Sequence, residues 1–485
     1  MKVLIVNAPA RASVYGGLAG LAAVEIPVWA GLIAEFLEGR GRGYEVEVLD
    51  CEAQGWTVEG SAREVRARGA DLAVFPVYGQ QPSASTQCLP AAEAVARDCG
   101  TRTIALGTHC SALPARTIAQ GPWTYVAKGE GFATVAGLLD VLEGMGGLED
   151  VPGLFWREGD GFRGNLPAAN TADLDHLAPS RGFGRFDFKR YRAHNWHAFG
   201  RERSPYASLQ TSLGCPFKCT FCCINAPFGG AGIRYWSPGN VLAAFDELAD
   251  RGVYNVKLPD EMFCLNYRHV EAICDGLIER DFGFNLWAYA RVDTVKAGML
   301  EKMKRAGFEW LGIGIESGSA HVRDGVDKGR FGDLDIVRVV RSIQDEGISV
   351  AANYIFGLPD DDMGSMQATL DLSLALNTEW ANFYCAMAYP GSALYEMAKS
   401  RGWRLPDDAD GPGWIGYSQH APECLPLPTE KLRAGEVLAF RDAAFQQYFT
   451  RDEYLSMISR RFGPMASNEV REMCEHKLER KFYDA

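Results

Sequence analysis

Gly214-Cys215-Pro216-Phe217-Lys218-Cys219-Thr220-Phe221-Cys222 sets three cysteines at x3 and x2 spacing directly after a β-rich run, Ala207 to Ser212. Three thiolates on one tight loop can hold three irons of a [4Fe-4S] cluster, because thiolate is the ligand such clusters use and the loop can wrap the cube. The fourth iron has no local ligand, since Cys223 adjoins Cys222 and is poorly placed for the same ion. An open iron can coordinate a small molecule, whereas a fully ligated cluster only passes electrons. The alternatives are buried thiols that act as small hydrophobes, or a structural zinc, which asks for a fourth ligand at matching spacing. Cys215, Cys219 and Cys222 are therefore the expected metal ligands.

Outward from this loop, strand and helix patterns alternate over residues 204–404. Strands are expected at Ala207 to Ser212, Asn255 to Leu258, Asn285 to Ala290, Trp310 to Ile315, Val350 to Phe356 and Ala381 to Met387. One intervening helix opens with Ser237 as N-cap and Pro238 at its first position. Six such units predict a partial (β/α)6 barrel, with its active site at the C-terminal ends of the strands. Residues 1–147 show the same alternation in near-continuous apolar strands such as Val3 to Asn7 and Asp71 to Tyr78, the pattern of a doubly wound (Rossmann-like) parallel sheet. Its crevice should be lined by the loops at Asn7-Ala8-Pro9, Tyr78-Gly79-Gln80, Gly107-Thr108-His109 and Gly129-Glu130-Gly131. Residues 148–203 read as a linker with a hairpin around Glu158-Gly159-Asp160-Gly161, and residues 405–485 as a small α-helical cap. The fold class is α/β.

The chain has 485 residues, enough for two to four domains. Its formal charge of −13 repels nucleic-acid phosphate and anionic membrane. The most apolar stretch, Gly17 to Phe36, is broken by Glu25 and Pro27 and lacks the flanks of a signal peptide, so neither export nor a membrane span is expected. Thirteen cysteines without a secretion signal point to reduced thiols and a cytoplasmic location.

The cysteine triplet resembles that of the radical S-adenosylmethionine (radical SAM) superfamily. The likeness continues through Asp260-Glu261, Ala290-Arg291-Val292-Asp293, Gly312-Ile313-Gly314-Ile315-Glu316-Ser317-Gly318, Gly357-Leu358-Pro359 and Tyr389-Pro390-Gly391-Ser392. It implies that S-adenosyl-L-methionine chelates the open iron and is cleaved reductively to a 5′-deoxyadenosyl radical, the protein supplying position and exclusion of water. Glu261, Glu316 and Ser317 would pair with the methionine ammonium or hydrogen-bond the ribose or carboxylate, or else cap the next helices. Arg291 would serve as a carboxylate partner.

The first domain lacks Gly-x-Gly-x-x-Gly after its first strand, which disfavours a dinucleotide. It resembles the cobalamin-binding domain fused to many radical SAM enzymes, on the Asn7, Pro9, Gly107, His109, Gly129 and Glu130 turns. Tyr78, Gly79 and Gln80 face the same crevice, with core packing of Tyr78 the alternative. Where classical cobalamin domains carry Asp-x-His-x-x-Gly, this chain has Asp50-Cys51-Glu52-Ala53-Gln54-Gly55. A corrin without a histidine lower ligand is therefore implied, with His109 the one candidate substitute.

The resemblance implies a cobalamin-dependent radical SAM methyltransferase acting on an unactivated carbon of a small-molecule substrate, with a flavodoxin or ferredoxin type reductant. A cobalamin-dependent cyclase or rearrangement enzyme is the alternative, and an iron-sulfur electron carrier or binding module the alternative of another class. No catalytic acid or base is legible. Trp414, Tyr417, Gln419 and His420 are candidates for substrate contact or cap packing, and Arg441-Asp442 reads as a solvent-exposed or local ion pair.

Overall fold

The computed structural model describes residues 1–79, 84–178, 181–328 and 336–484. Among these, five parallel strands open the first sheet: β1 (Lys2–Asn7), β2 (Glu45–Asp50), β3 (Leu72–Pro76), β4 (Thr103–Leu106) and β5 (Tyr125–Ala127), in spatial order β2-β1-β3-β4-β5. Successive residues of β1 alternate between two cores, Val3 and Ile5 on one face, Leu4 and Val6 on the other. A strand buried on both sides is what its uninterrupted apolar run demands.

The hairpin expected in the linker joins this sheet. Its strands β6 (Leu154–Glu158) and β7 (Gly161–Gly164) extend β5 in antiparallel register, so the first sheet runs on past residue 147. Farther along the linker, Trp196 sits edge-on to Trp287 and Trp310, with ring centroids 5.0 and 5.1 Å away. The linker thereby fills the base of the second domain with an aromatic plug.

That second domain is a six-stranded, all-parallel sheet that starts at β8 (Tyr206–Ser208). The chain leaves it at once for a two-stranded ribbon, β9 (Ser212–Cys215) with β10 (Gly232–Tyr235). It then returns through β11 (Asn255–Leu258), β12 (Asn285–Arg291), β13 (Phe308–Glu316), β14 (Ser349–Phe356) and β15 (Trp380–Cys385), in order β15-β14-β13-β12-β11-β8. The first barrel strand thus stops at Ser208: of the continuation expected to Ser212, residues 209–211 form a turn and Ser212 opens the ribbon. Asp260 explains the break: its carboxylate accepts hydrogen bonds from Thr211 N, Thr211 Oγ1 and Ser212 Oγ at 2.6–2.7 Å, holding the chain in a turn. Ser237 caps the helix Pro238–Asp250 by accepting from Asn240 N.

The helices Ala434–Phe449, Asp452–Phe462 and Pro464–Glu475 close the open edge beside β15. Tyr448 Oη and Tyr454 Oη donate to the carbonyls of Thr378 and Glu379, at the start of that strand, at 2.6 and 3.0 Å. Among the described residues no helix is long and apolar enough to cross a membrane.

Candidate functional site

Gly214 sits at φ +91°, and a Cβ there would come 2.5 Å from the Gly232 carbonyl oxygen, so the ribbon feeding the cysteine loop can close only on glycine. The loop is then tied down by main-chain bonds from Thr220 N to Val326 O at 3.0 Å and from Leu394 N to Thr220 O at 2.8 Å. Cys215 is buried, Cys219 half-buried and Cys222 exposed, and all three line one cavity of about 610 Å³ between the first sheet and the barrel mouth. Burial pushes the Cys215 thiol up to about 11 and raises that of Cys219. These thiols therefore ionise only when a cation compensates the charge.

The barrel strand ends surround the loop. Arg291, at the end of β12, lies 3.8 Å over the Phe217 ring and 3.7 Å from Cys219 Sγ. Asp293 fixes its guanidinium through two bonds of 2.9 and 3.0 Å. Glu316, at the end of β13, has φ +66° and takes a hydrogen bond from the buried Lys328 ammonium. Burial alone would lower the Lys328 pKa, and the Glu316 charge outweighs it. Glu261 lines the same wall, where desolvation, followed by the charge on Asp260, pushes its carboxyl up to about 8. Ser317 is off the wall: its buried hydroxyl meets Thr369 Oγ1 at 3.1 Å and accepts from Ser319 N, so it braces a turn.

In the first domain Asn7, Tyr78 and Gly79 line the cavity. Asn7 Nδ2 donates to Asp50, which also accepts from Ala53 N and Tyr191 Oη and is pushed up to about 6 by burial. Tyr78 stacks on Trp29 at 4.3 Å with the rings 4° from parallel. Pro9, Gly107, His109, Gly129 and Glu130 are not on the cavity wall. Glu130 pairs with Arg234 of β10 and accepts from Thr171 N, pinning the linker across the two domains. Gly129 N donates to Ser111 Oγ. His109 packs edge-on to Trp414 at 4.5 Å, its Nδ1 against Thr86 Oγ1, and burial lowers its pKa to about 3. Gln80 lies outside the described residues.

The barrel lumen was not legible in the chain. Alternate residues of β13 and β14 face it, among them Gly312 and Asn353, together with Trp287 and Tyr289 of β12 and Asn382 and Tyr384 of β15. Gly312 keeps it open, because a Cβ there would meet the Tyr289 ring at 2.8 Å. Glu25, carried in from the first domain, forms a buried bidentate pair with Lys257 of β11 at 2.9 and 3.1 Å and accepts from Ser208 Oγ. The only sequence hint was an isolated charge within each of two apolar runs. Of the C-terminal candidates, Gln419 and His420 reach the cavity. Gln419 clasps the Cys385 main chain through two 2.9 Å bonds, and His420 stacks on Tyr15. Tyr417 is core and bonds Asp407. Arg441 is buried rather than solvent-exposed: Asp442 bridges it to Arg480, and its Nε donates to Phe383 O at 2.7 Å.

Residues 209–373 match the family described as the Radical SAM superfamily. The chain carries a radical SAM domain. An uncharacterized methyltransferase of Pyrococcus horikoshii is 26% identical over 60% of this chain and 62% of its own length, so the match spans less than two thirds of that relative. The anaerobic magnesium-protoporphyrin IX monomethyl ester cyclase of Rubrivivax gelatinosus is 25% identical over 79% of this chain and 67% of its own. In structure, the radical S-adenosylmethionine methyltransferase TsrM from Kitasatospora setae, solved with cobalamin and a [4Fe-4S] cluster bound, superposes with a TM-score of 0.68. That superposition covers 98% of this chain and 100% of the other at 17% identity, a likeness of fold. The radical SAM domain and the sheet before it thus occur together, in the same order, in a protein of the same architecture.

Proposed function

We propose that the chain is a cobalamin-dependent radical SAM methyltransferase acting on an unactivated carbon of a small molecule. The observation that carries this reading is the single cavity on which the cysteine loop, the strand-end residues Glu261, Arg291 and Glu316, and the first-domain residues Asn7, Tyr78 and Gly79 all converge. Two cofactors that must exchange a group with one substrate need one water-excluding chamber.

The donor set fits the cluster in its chemistry: three thiols on one loop, held at Thr220 by two main-chain bonds, all facing one cavity. The first-domain wall fits a flat ring, with the Tyr78–Trp29 stack beside Gly79, whose φ is +67°. Of the histidines on the cavity wall, His194 accepts from Ala23 N through Nδ1 at 3.3 Å and His420 stacks on Tyr15. Glu52, in the histidine's place, is bound by Arg11 through its main-chain N at 2.8 Å and Nε at 2.9 Å, and His109 packs edge-on to Trp414 off the cavity wall.

When bound, the cluster supplies the electron that cleaves S-adenosylmethionine, and the corrin carries the methyl group. The chain's own residues do the positioning. Arg291 and Lys328 set two cations beside the cysteines, Glu261 offers an ammonium partner, and Trp287 and Tyr289 wall the lumen against water. A flavodoxin or ferredoxin type reductant would deliver the electron.

Anaerobic reconstitution with iron, sulfide and hydroxocobalamin should give an ultraviolet–visible spectrum of cluster and corrin together. Turnover should then yield S-adenosylhomocysteine alongside 5′-deoxyadenosine, and absence of the former would remove methyl transfer. The cyclase relative favours a second reading in which the substrate loses hydrogens instead of gaining a methylene unit, which product mass decides.

A further inference from the structure

Three segments of the first domain meet in one hydrogen-bonded knot: the end of β3, the first turn of the helix Ala84–Asp98, and the turn after β4. Ser85 Oγ donates to Val77 O, His109 N donates to Ser85 Oγ at 3.0 Å, and His109 Nδ1 meets Thr86 Oγ1 at 3.2 Å. The knot engages the hydroxyls of Ser85 and Thr86 and the main-chain N and Nδ1 of His109, whose Nε2 is buried without a partner among the described residues. Tyr78, Gln87 and Thr108, which adjoin Val77, Thr86 and His109 in the chain, line the cavity.

These three side chains are 8%, 8% and 2% exposed. Tyr78 Oη, Gln87 Oε1 and Thr108 Oγ1 have no hydrogen-bond partner among the described residues. A buried polar atom left unpaired costs about 1–3 kcal/mol. Folded chains rarely leave such atoms orphaned, and three in one corner of a cavity mark a place built for a polar ligand.

All three groups are neutral, for burial holds the Tyr78 phenol well above its ordinary value. A phenol, an amide and a hydroxyl are matched by a group that both donates and accepts, as a primary carboxamide does; a phosphate diester only accepts. Resting on the corrin reading above, we propose that Tyr78, Gln87 and Thr108 hold the carboxamide arms of the corrin ring, and not its phosphate-bearing nucleotide tail.

The test uses the full-length chain purified without corrinoid. Hydroxocobalamin and diaquacobinamide, which keeps the amide arms and lacks the nucleotide, are titrated by equilibrium dialysis under anaerobic conditions. The wild-type chain should bind both, and Gln87→Ala/Thr108→Val should weaken both by the same factor, about tenfold or more. Tyr78→Phe, which keeps the stack on Trp29, and Thr108→Val alone should each weaken both by a smaller common factor. These two near-isosteric variants carry the test if the double variant does not fold.

Unchanged binding in the variants would overturn the assignment. So would a loss confined to hydroxocobalamin, which would put the tail in this corner. A wild-type chain that binds neither corrinoid would overturn the corrin reading itself, a result distinct from failure of these contacts alone.

Discussion

His109 shows how a residue's chemistry is set by its surroundings. Its imidazole titrates near 6.5 when free and near 3 in the folded chain, because burial disfavours the cation. A histidine held neutral contributes its full stability above pH 6.5 and loses it as pH falls, since the unfolded chain takes up the proton first. Relative to His109→Gln, the wild-type chain should therefore lose about 1.4 kcal/mol of stability per pH unit below 6.5, read from urea midpoints at a series of pH values. Gly107 tests the backbone at the same turn. It has φ +135°, and a Cβ would fall 2.1 Å from the Val77 carbonyl oxygen. Gly107→Ala should cost about 3 kcal/mol or more, measured by the same unfolding curve, because neither strain nor clash can be relieved by a side-chain rotation.

Among elements, the contacts that matter are those between segments far apart in the chain. The Glu25–Lys257 pair pins the segment before the helix Val28–Gly39 to β11, with the two side chains 8% and 1% exposed. Glu25→Gln removes the carboxylate that offsets a buried ammonium and should destabilise the chain by about 3–5 kcal/mol, whereas Glu25→Leu with Lys257→Met should recover most of that loss. Denaturant unfolding of the wild-type chain and these two variants distinguishes the outcomes. Trp196 makes the same point for the linker: read in the chain it is one aromatic in an irregular passage, and in the fold it fills the barrel base.

At the scale of the whole molecule, the cavity exists only because two domains face each other across it. A ligand that contacts both binds the native state alone and must stabilise it, by about 2.7 kcal/mol at a hundred times its dissociation constant. Hydroxocobalamin should therefore raise the Tm in a concentration-dependent way, followed by calorimetry. A Tm that stays fixed as the corrinoid is raised would place no corrin between the domains.

The parallel sheets, the barrel and the cysteine loop were legible in the chain, because strand periodicity, N-caps such as Ser237 and the x3, x2 spacing are local properties. Asn7, Tyr78, Gly79, Glu261, Arg291, Glu316 and the three cysteines lie within a few residues of strand ends, so topology alone carries them to one cavity. Which polar groups stay available in that cavity was decided only by tertiary contacts. Glu130 is taken by Arg234 and Ser317 by Thr369, while Gln87, Thr108 and Tyr78 on the cavity wall keep unpaired atoms. A side chain's partner is fixed by distance in space, and spacing along the chain holds no record of it.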